Sequence, residues 1–342
     1  MTCVIEEARS AAEWDAFVES HPGGTVDHLY AWRTIFENVL GHQTAYLIAR
    51  QDGRVAGVLP LVLVRSRLFG RSAIAVPFLN YGGMLADDET VGEALLASAT
   101  ERARAFGATH VELRHVNRQF HRLPVRQHKL GMRRDLPPTT DALWSAVDRK
   151  IRNQVRKAQK EGLEPAIGGA ELVDEFYSVF AENMRDLGTP VYPSALFAET
   201  LRLFPDRAKV AVIRHKGRAV AAGVVITFRD VVLNPWASSL REFRHLCPNM
   251  LLYWTLLEQA VRDGAHVFDF GRSSPGGGTH QFKLQWGAVE VPLHWEYVLL
   301  SRAEPPNQGP SNPRFERAIR AWQRLPLQVA NVLGPRIARH LP

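Results

Sequence analysis

Apolar runs and apolar residues at helical spacing predict two hairpins, each followed by a strand, a helix and a further strand. The first hairpin turns at Asp52-Gly53, a pair that favours tight turns between antiparallel strands. The second turns within His215–Arg218, in the same place relative to its strands. The predicted elements are strands 46–50, 55–64 and 73–79, helix 93–106 and strand 110–114, then strands 209–214, 219–228 and 231–237, helix 249–262 and strand 266–270.

This order of elements recurs after about 160 residues, a period too long for a solenoid. Two pairs of segments also match in kind, 48–57 with 213–223 and 107–113 with 264–270. The recurrence predicts two copies of one α/β domain. Chance recurrence of a common order of elements is the alternative.

Further helices are predicted outside the repeat, over 11–20, 29–40, 141–162 and 172–187. The helix between the two copies combines an apolar stripe with an opposite face of six cations: Arg149, Lys150, Arg152, Arg156, Lys157 and Lys160. Such a face is usually solvated, but it can also contact phosphates.

The C-terminal region reads as a linker followed by a tail. Pro and Asn punctuate the chain after Leu300, and 314–324 is basic and amphipathic, with Phe315, Ile319 and Trp322 on one side. This tail either packs on the body of the protein or lies on a membrane surface, and packing is favoured.

The composition is that of a soluble globular protein with a sizeable core: 342 residues, 46% hydrophobic and 23% charged. No apolar run reaches the roughly 18 residues that a membrane span needs. The N-terminus lacks the pattern of a signal peptide, and Cys3 and Cys247 form neither a disulfide framework nor a zinc spacing. We therefore expect a cytoplasmic protein. Its net charge of +7 favours an anionic partner.

One stretch, 268–287, concentrates the candidate chemistry. An apolar strand leads into a glycine-rich loop, which then presents Lys283 between Phe282 and Trp286. Glycines let backbone N–H groups approach an anion, and a lysine in an apolar wall can stabilise developing negative charge. A flexible surface loop with an ordinary edge strand is the alternative.

The catalytic candidates are Lys283 for an oxyanion or a donor phosphate, Asp269 to position an amine or act as a base, and His280 to relay a proton. The binding candidates in the same region are Arg272, Gly276, Gly277, Gly278, Tyr253 and Trp286. Each candidate also has a structural alternative: a surface lysine, a turn-stabilising aspartate, an incidental histidine and a core tyrosine.

Other chemistries lack their motifs. No Gly-Lys-Ser/Thr follows the glycines as in a P-loop, and no Gly-x-Ser-x-Gly elbow is present. His110, His115, His121 and His128 are irregularly spaced and lack carboxylate or thiolate partners nearby in sequence, so no metal is expected.

The element order is that of the acyl-CoA N-acyltransferase (GNAT) fold. Two such copies, joined by 150–162 and 184–192 and closed by the Phe-Lys-x-x-Trp-Gly stretch, resemble the Fem-type peptidyltransferases. The chain looks most like the FemAB-like subgroup associated with exosortase/PEP-CTERM systems, which carries a BioF2-like acetyltransferase domain. The resemblance covers roughly residues 10–300. It implies an α/β fold of two tandem GNAT-like domains, 1–140 and 141–300, followed by a linker and tail over 301–342.

The resemblance also implies a reaction, the transfer of an acyl or aminoacyl group to an amine. The donor would be acyl-CoA or aminoacyl-tRNA with no bound cofactor, and the acceptor a lipid- or nucleotide-linked cell-envelope or exopolysaccharide precursor. Lys283 matches the catalytically important lysine of the family. Arg185 and Tyr192 lie near the family's contacts with acceptor phosphates. Partners would include tRNA and, through the tail, the inner face of the membrane.

The sequence departs from the family in three respects. Trp32-Arg33 stands near the position where relatives offer a lysine, which puts a phosphate contact there in doubt. A long helical arm is absent, which weakens the tRNA interpretation. The pyrophosphate loop of ordinary acetyltransferases is absent before Asn249, which weakens acetyl-CoA binding. The alternative function is a non-catalytic RNA- or precursor-binding protein on a degenerate acyltransferase scaffold.

Overall fold

The chain folds into two units, each built on its own mixed β-sheet, in the computed structural model, which describes residues 3–66, 69–306 and 316–341. One unit combines Met1–His128 with Pro292–Gln308 and Arg339–Pro342; the other combines Lys129–Val291 with Gly309–Ala338. The chain thus enters the second unit before residue 140 and returns to the first before residue 300. The domain boundaries expected from the sequence, at residues 140 and 300, therefore lie later in the chain than those of the structure.

Fifteen strands are formed by the described residues: β1 Cys3–Glu7, β2 Gln43–Gln51, β3 Arg54–Ser66, β4 Gly70–Ala75, β5 Leu85–Ala86, β6 His110–His115, β7 Val125–Arg126, β8 Leu130–Asp135, β9 Leu163–Gly168, β10 Ala208–His215, β11 Arg218–Phe228, β12 Val231–Ser239, β13 Val267–Ser273, β14 Val289–Pro292 and β15 His294–Leu299. The helices are α1 Ala11–Ser20, α2 Trp32–Thr34, α3 Glu89–Phe106, α4 Thr140–Ala146, α5 Arg149–Lys160, α6 Val173–Leu187, α7 Ser194–Leu203, α8 Pro248–Arg262, α9 Gly278–Gln285, α10 Glu316–Gln323 and α11 Leu327–Ala338.

The first sheet has the order β1-β2-β3-β4-β6-β15-β7, with the short β5 beside β3. The second has the order β14-β8-β13-β12-β11-β10-β9. Both contain the predicted hairpin, β2–β3 in one and β10–β11 in the other. Both also contain a parallel pair, β4–β6 and β12–β13. Two mixed sheets flanked by helices confirm the predicted fold class.

A long helix covers each sheet in the same way. Helix α3 packs on the first sheet and α8 on the second, each through a row of buried apolar side chains. A glycine of the central strand lies under each helix. A Cβ on Gly57 would come within 2.7 Å of Val91, and one on Gly223 within 3.4 Å of Leu256. The glycines therefore let helix and sheet approach closely, which explains why both segments of the repeat contain one.

Each sheet is completed by a strand from the other half of the sequence. Strand β8 leaves the first half and pairs antiparallel with β13, while β15 follows the second half and pairs antiparallel with β6. These pairings were not predicted, because register between strands so far apart in sequence depends on tertiary packing rather than on local pattern.

Three local predictions were wrong. The predicted helix over 141–162 is two helices, α4 and α5, because the chain is extended at Val147 between them. The segment 29–40 forms the single turn α2 and a π-helical turn over Ile35–Val39 instead of one regular helix. The glycine-rich loop is shorter than expected, because Gly278 already begins α9 and Lys283 lies on that helix. In the tail, Ile319 and Trp322 lie on α10, whereas Arg314 and Phe315 fall outside the described residues.

The incoming strand β15 carries a buried carboxylate that the first unit uses as a structural acceptor. Glu296 is 0% exposed and accepts hydrogen bonds from His115 Nδ1 at 2.6 Å, Gln119 N at 3.0 Å and Phe120 N at 2.7 Å. Burial raises the pKa of this carboxyl, but the hydrogen bond and charge of His115 and the two backbone N–H groups lower it further, so the net pKa lies below its ordinary value.

We expect Glu296→Ala to lower the free energy of unfolding by about 3 kcal/mol, because it leaves three donors, two of them buried, without their acceptor. Urea denaturation at neutral pH measures the change, and Glu304→Ala, on the surface, is the control. A folded pKa below the unfolded one gives stability that is present above the ordinary carboxyl pKa and is lost as pH falls through the folded value. The variant should therefore lose less stability than the wild type on acidification, and an unchanged acid dependence would contradict this role.

Candidate active site

The candidate site lies where two parallel strands of the second sheet separate. Strands β12 and β13 pair from Val231–Val267 to Leu233–Asp269 and no further. Beyond this point β12 continues beside β11, and β13 continues beside β8 after an irregularity between Asp269 and Arg272. Polar groups at the carboxyl end of such strands collect where strands diverge, which is a common place for binding sites in α/β folds.

Lys283 reaches this end of β13 from helix α9. Its side chain is 7% exposed, and Nζ donates to the carbonyl oxygens of Arg272 at 2.9 Å and Gly271 at 3.3 Å. Gly271 has φ of +71°, a left-handed conformation that favours glycine. A glycine at the strand irregularity therefore helps to form the carbonyl pair that holds the lysine.

The amine of Lys283 is easier to deprotonate than that of an ordinary lysine. Burial lowers its pKa from 10.5 to about 8; the charge of Asp269 opposes this shift, and those of Arg272 and Lys129 add to it. A group that titrates near the working pH can carry positive charge or exchange a proton. Lys283 therefore has the environment expected of a reacting lysine rather than of a surface one.

Asp269 is held by the backbone and by an arginine. It is 1% exposed; Oδ1 accepts from Gly271 N at 2.8 Å and Oδ2 from Arg133 Nε at 2.8 Å. Its geometry stabilises the turn that presents the Gly271 carbonyl and places a negative charge near the ammonium of Lys283.

His280 lies one turn before Lys283 on α9, and both of its ring nitrogens have partners. Nδ1 accepts from Gly276 N at 3.1 Å, so Nε2 donates to Glu290 Oε1 at 2.7 Å. Positions i and i+3 share a helix face, so His280 and Lys283 lie on the same side of α9. The His280–Glu290 pair links this face to solvent, because the Glu290 side chain is 47% exposed.

The glycines of the loop leave open space. Gly276 has φ of +73°, and a Cβ added to Gly276 or Gly278 would meet no atom within 4 Å. Gly277 caps α9 and Gly278 is its first residue. The backbone here is therefore accessible at the start of the helix that carries Lys283.

The aromatic candidates belong to the core beside the site. Trp286 is 0% exposed, and its carbonyl accepts from Arg134 at 2.5 Å. Tyr253 is buried with its ring 4.9 Å from Phe282 and 5.7 Å from Phe270, and burial raises its pKa. These rings form the apolar wall behind Lys283.

Arg185 and Tyr192 lie at a different part of the second unit. Arg185, at the end of α6, pairs with Asp186 at 2.7 Å and donates to Leu325 O at 3.1 Å. The carbonyl of Tyr192 accepts from Tyr177 at 3.1 Å. Arg185 is thus joined to the segment between α10 and α11, and the Tyr192 carbonyl to α6.

Sequence reasoning missed the partners that β8 and β14 contribute. Arg133 pairs with Asp269, Lys129 donates to Ser274 Oγ at 2.8 Å, and Glu290 pairs with His280. The buried Arg134 also belongs here, and burial lowers its pKa. The alternation Leu130-Met132-Arg134 could have indicated a strand, but nothing in the sequence specifies its pairing with β13.

The corresponding place in the first unit is occupied by the chain itself. Strands β4 and β6 pair in parallel through Ala73–Val111 and Ile74–Glu112, and the following residues 76–84 are all buried. Met84 N donates to His115 Nε2 at 2.9 Å, and a Cβ on Gly83 would lie 1.9 Å from that ring. A buried titratable lysine at the end of the parallel strand pair is therefore a feature of the second unit.

Among the described residues, no cluster of histidine, cysteine and carboxylate side chains is arranged to hold a metal ion. None of the helices in this part of the chain combines the length and the apolar character that crossing a membrane requires.

We expect the stability of the wild type relative to Lys283→Met to increase by about 2 kcal/mol between about pH 7.5 and about pH 9.5. The folded pKa of about 8 lies below the unfolded value of 10.5, so the unfolded chain binds this proton more tightly and the penalty for burying the charge disappears as pH rises. Urea denaturation of both proteins at the two pH values measures the difference. Lys209→Met, which removes a surface lysine, should show no such change; a constant difference for Lys283→Met would contradict the assignment.

Comparison with known proteins identifies the fold of this site. Residues 145–284 match the family model described as acetyltransferase (GNAT) domain. No curated protein sequence matches the chain.

Several solved structures are similar to the chain over most of its length. The match to a crystal structure of FemX covers 88% of this chain and 98% of the FemX chain, with 17% sequence identity and a TM-score of 0.64. The match to the C-terminal domain of a provisionally named lysylphosphatidylglycerol synthetase from Agrobacterium fabrum covers 84% of this chain and 91% of that domain. The sequence identity is 13% and the TM-score is 0.58. The match to a tandem GNAT protein from the clavulanic acid biosynthesis pathway covers 90% of this chain and 99% of that protein's chain, with 15% sequence identity and a TM-score of 0.56. The chain therefore has a tandem GNAT fold, and the segment 145–284 that matches the acetyltransferase domain includes Lys283, Asp269 and His280.

Proposed function

We propose that the second unit transfers an acyl or aminoacyl group from an activated donor to an amine. The observation that carries this proposal is the buried Lys283 amine, held by two backbone carbonyls at the gap between β12 and β13. The match of this region to an acetyltransferase domain supports the same reaction.

In the proposed reaction, the acceptor nitrogen forms a bond to the acyl carbon, and the bond from that carbon to the donor's sulfur or oxygen breaks. The carbonyl oxygen carries negative charge in between, and the ammonium of Lys283 stabilises it in a water-poor setting. The nitrogen gives up its proton to solvent, and His280, whose two ring nitrogens are both hydrogen-bonded, holds the exposed Glu290 carboxylate beside α9 as an acceptor for that proton. Asp269 and Arg133 position the turn that holds Lys283.

For the donor we infer acyl-CoA or an aminoacyl-tRNA. The acetyltransferase match supports the first, and the resemblance to Fem-type peptidyltransferases supports the second. The start of α8, where ordinary acetyltransferases hold the donor's pyrophosphate, follows a 3₁₀ turn over Arg241–Leu246 and a left-handed Cys247. Arg241 and Arg244 of this turn supply positive charge there without a glycine-rich loop.

For the acceptor we infer an amine on a cell-envelope or exopolysaccharide precursor, as in the FemAB-like proteins associated with exosortase/PEP-CTERM systems. Arg185 and Tyr192 are proposed to contact this acceptor. The structural likeness to a domain named as part of a lysylphosphatidylglycerol synthetase supports a lipid acceptor.

If the site is catalytic, Lys283→Ala should lower kcat/KM at least tenfold, about 1.4 kcal/mol in transition-state stabilisation, while Lys209→Ala leaves it unchanged. The Lys283 ammonium loses its proton near pH 8, so the wild-type rate should fall above that pH, whereas Lys283→Arg, which stays charged, should show no fall there. Initial rates across pH measure both effects. Unchanged rates in Lys283→Ala would instead favour the non-catalytic binding protein.

Contact with a membrane surface is a second proposal, and helix α11 supports it. Val329, Val332 and Leu333 are all exposed, at positions that share one face of the helix, and Arg336 lies one turn further on. Exposed aliphatic side chains beside cations are typical of helices that lie on anionic lipid.

The double change Val332→Glu and Leu333→Glu should abolish co-sedimentation with vesicles that contain phosphatidylglycerol, because it replaces apolar contacts with charges that anionic lipid repels. The matched change of Glu316 and Gln323 to alanine, on α10, should leave binding intact. Equal sedimentation of all three proteins would reject the membrane contact.

A further inference from the structure

A cavity of about 320 Å³ lies in the first unit. It is lined by residues 40–43, by Leu63 and Arg65 of β3, by Phe106 at the end of α3 and by residues 339–340, all of which belong to this unit. The volume is at the lower end of the range for small-molecule sites, roughly 300–1,000 Å³. Because separate stretches of chain surround the cavity, a ligand there would be contacted from several sides.

Two histidines fasten the C-terminal wall of this cavity. His42 Nε2 donates to Arg339 O at 2.9 Å, and His340 Nδ1 donates to Arg65 O at 2.9 Å. Arg339 Nε in turn donates to Nε2 of His340 at 3.4 Å, which leaves no proton on that nitrogen. Burial lowers the pKa of His42 to about 4. Both rings are therefore uncharged in this arrangement, and the positive charge of the lining belongs to the two arginines.

The guanidinium groups of Arg65 and Arg339 lie beside other lining residues. Nη1 of Arg339 is 3.9 Å from the position that a Cβ on Gly41 would take, and Cζ of Arg65 is 5.8 Å from the centre of the Phe106 ring. No aspartate or glutamate lines the cavity. Within residues 3–66, 69–306 and 316–341, neither arginine forms an ion pair with an acid. Two such uncompensated cations favour an anionic ligand.

The other walls of the cavity are apolar. Leu63 and Phe106 are half-buried and lie at the margin of the first unit's core, and Leu40 lines the cavity as well. Apolar surface that a ligand removes from water contributes about 25 cal/mol per Å². A wholly polar anion, such as inorganic phosphate, would leave this surface wet. The ligand that fits the lining therefore combines a negative charge with an apolar body.

The donors of the cavity favour a carboxylate as the charged group. A guanidinium binds a planar carboxylate through two parallel hydrogen bonds. A phosphate monoester carries nearly two charges, and proteins commonly hold it with the N–H groups at a helix N-terminus. Phe106 instead lies at the C-terminal end of its helix. The side-chain donors left for a ligand are the guanidinium groups of Arg65 and Arg339 and the amide of Gln43, which suit a singly charged group.

From this combination we propose that the first unit binds a small amphipathic carboxylate, that is, one carboxylate on an apolar body. Arg65 and Arg339 bind the carboxylate, and Leu63 and Phe106 contact the apolar body. The site goes beyond the acyltransfer proposed above, because it lies in the unit to which no reaction is assigned. Binding there requires neither Lys283 nor an acyl donor.

Titration calorimetry of the full-length protein with octanoate tests this site. We expect saturable binding to the wild type and binding about tenfold weaker or less to Arg65→Gln/Arg339→Gln, because the carboxylate loses both cations. The control Arg9→Gln/Arg54→Gln removes the same charge from exposed positions of the first unit and should stay within about twofold of the wild type. Acetate and octanol, which supply only the charge or only the apolar body, should each bind about tenfold more weakly than octanoate.

Equal octanoate binding by the wild type and the Arg65→Gln/Arg339→Gln variant would overturn the proposal, as would no saturable binding to the wild type. Tighter binding of octyl phosphate than of octanoate would reject the carboxylate. Leu63→Asn is a second variant that keeps both arginines; it should weaken octanoate binding and leave the weak binding of acetate unchanged, because it alters only the apolar wall. Equal octanoate binding by this variant and the wild type would reject the apolar contact and with it the proposed ligand.

Discussion

Burial of the Lys283 amine between two backbone carbonyls is the constraint on which the candidate site depends. A lysine in this position costs free energy while it is charged, and the carbonyls of Gly271 and Arg272 and the nearby Asp269 offset part of that cost. The left-handed glycine, the irregularity in β13 and the Arg133–Asp269 pair all serve the same turn. Together they hold a titratable amine at the end of β13, where β12 and β13 stop pairing.

The two units share one order of elements but differ in the segment that lies at the end of the parallel strand pair. In both, a parallel strand pair is short and the strands then separate. In the first unit, residues 76–84 are buried beside the end of β6, and Glu296 satisfies the donors around His115. In the second, the same position receives a helix that brings His280 and Lys283 to the strand end. The first unit therefore fills this position with its own chain, and we infer that the second unit carries the reaction.

Local patterns predicted what depends on local physics. The turns at Asp52-Gly53 and Lys216-Gly217 fixed both hairpins, and apolar spacing located α3, α5 and α8. The Phe-Lys-x-x-Trp-Gly stretch identified Lys283 from its chemistry and from the family resemblance. Helix α9 was missed because three consecutive glycines favour a loop in isolation. Packing of Phe282 and Trp286 against Tyr253 of α8 favours the helix instead. Arg133 was missed because the pairing of β8 with β13, more than a hundred residues apart, leaves no local pattern in the sequence. Glu290 was missed because neither α9 nor β14, which its contact with His280 joins, was predicted.

The central claim is that the second unit binds an activated acyl donor and transfers its acyl group with the help of Lys283. A thermal-shift and mass-spectrometric screen of the purified protein against acyl-CoA species and charged tRNA tests it most directly. We expect a rise in melting temperature with one donor class. We also expect an acylated amine product that the wild type forms and Lys283→Met does not. A protein that neither donor stabilises, and that forms no acylated product from either, would contradict the account.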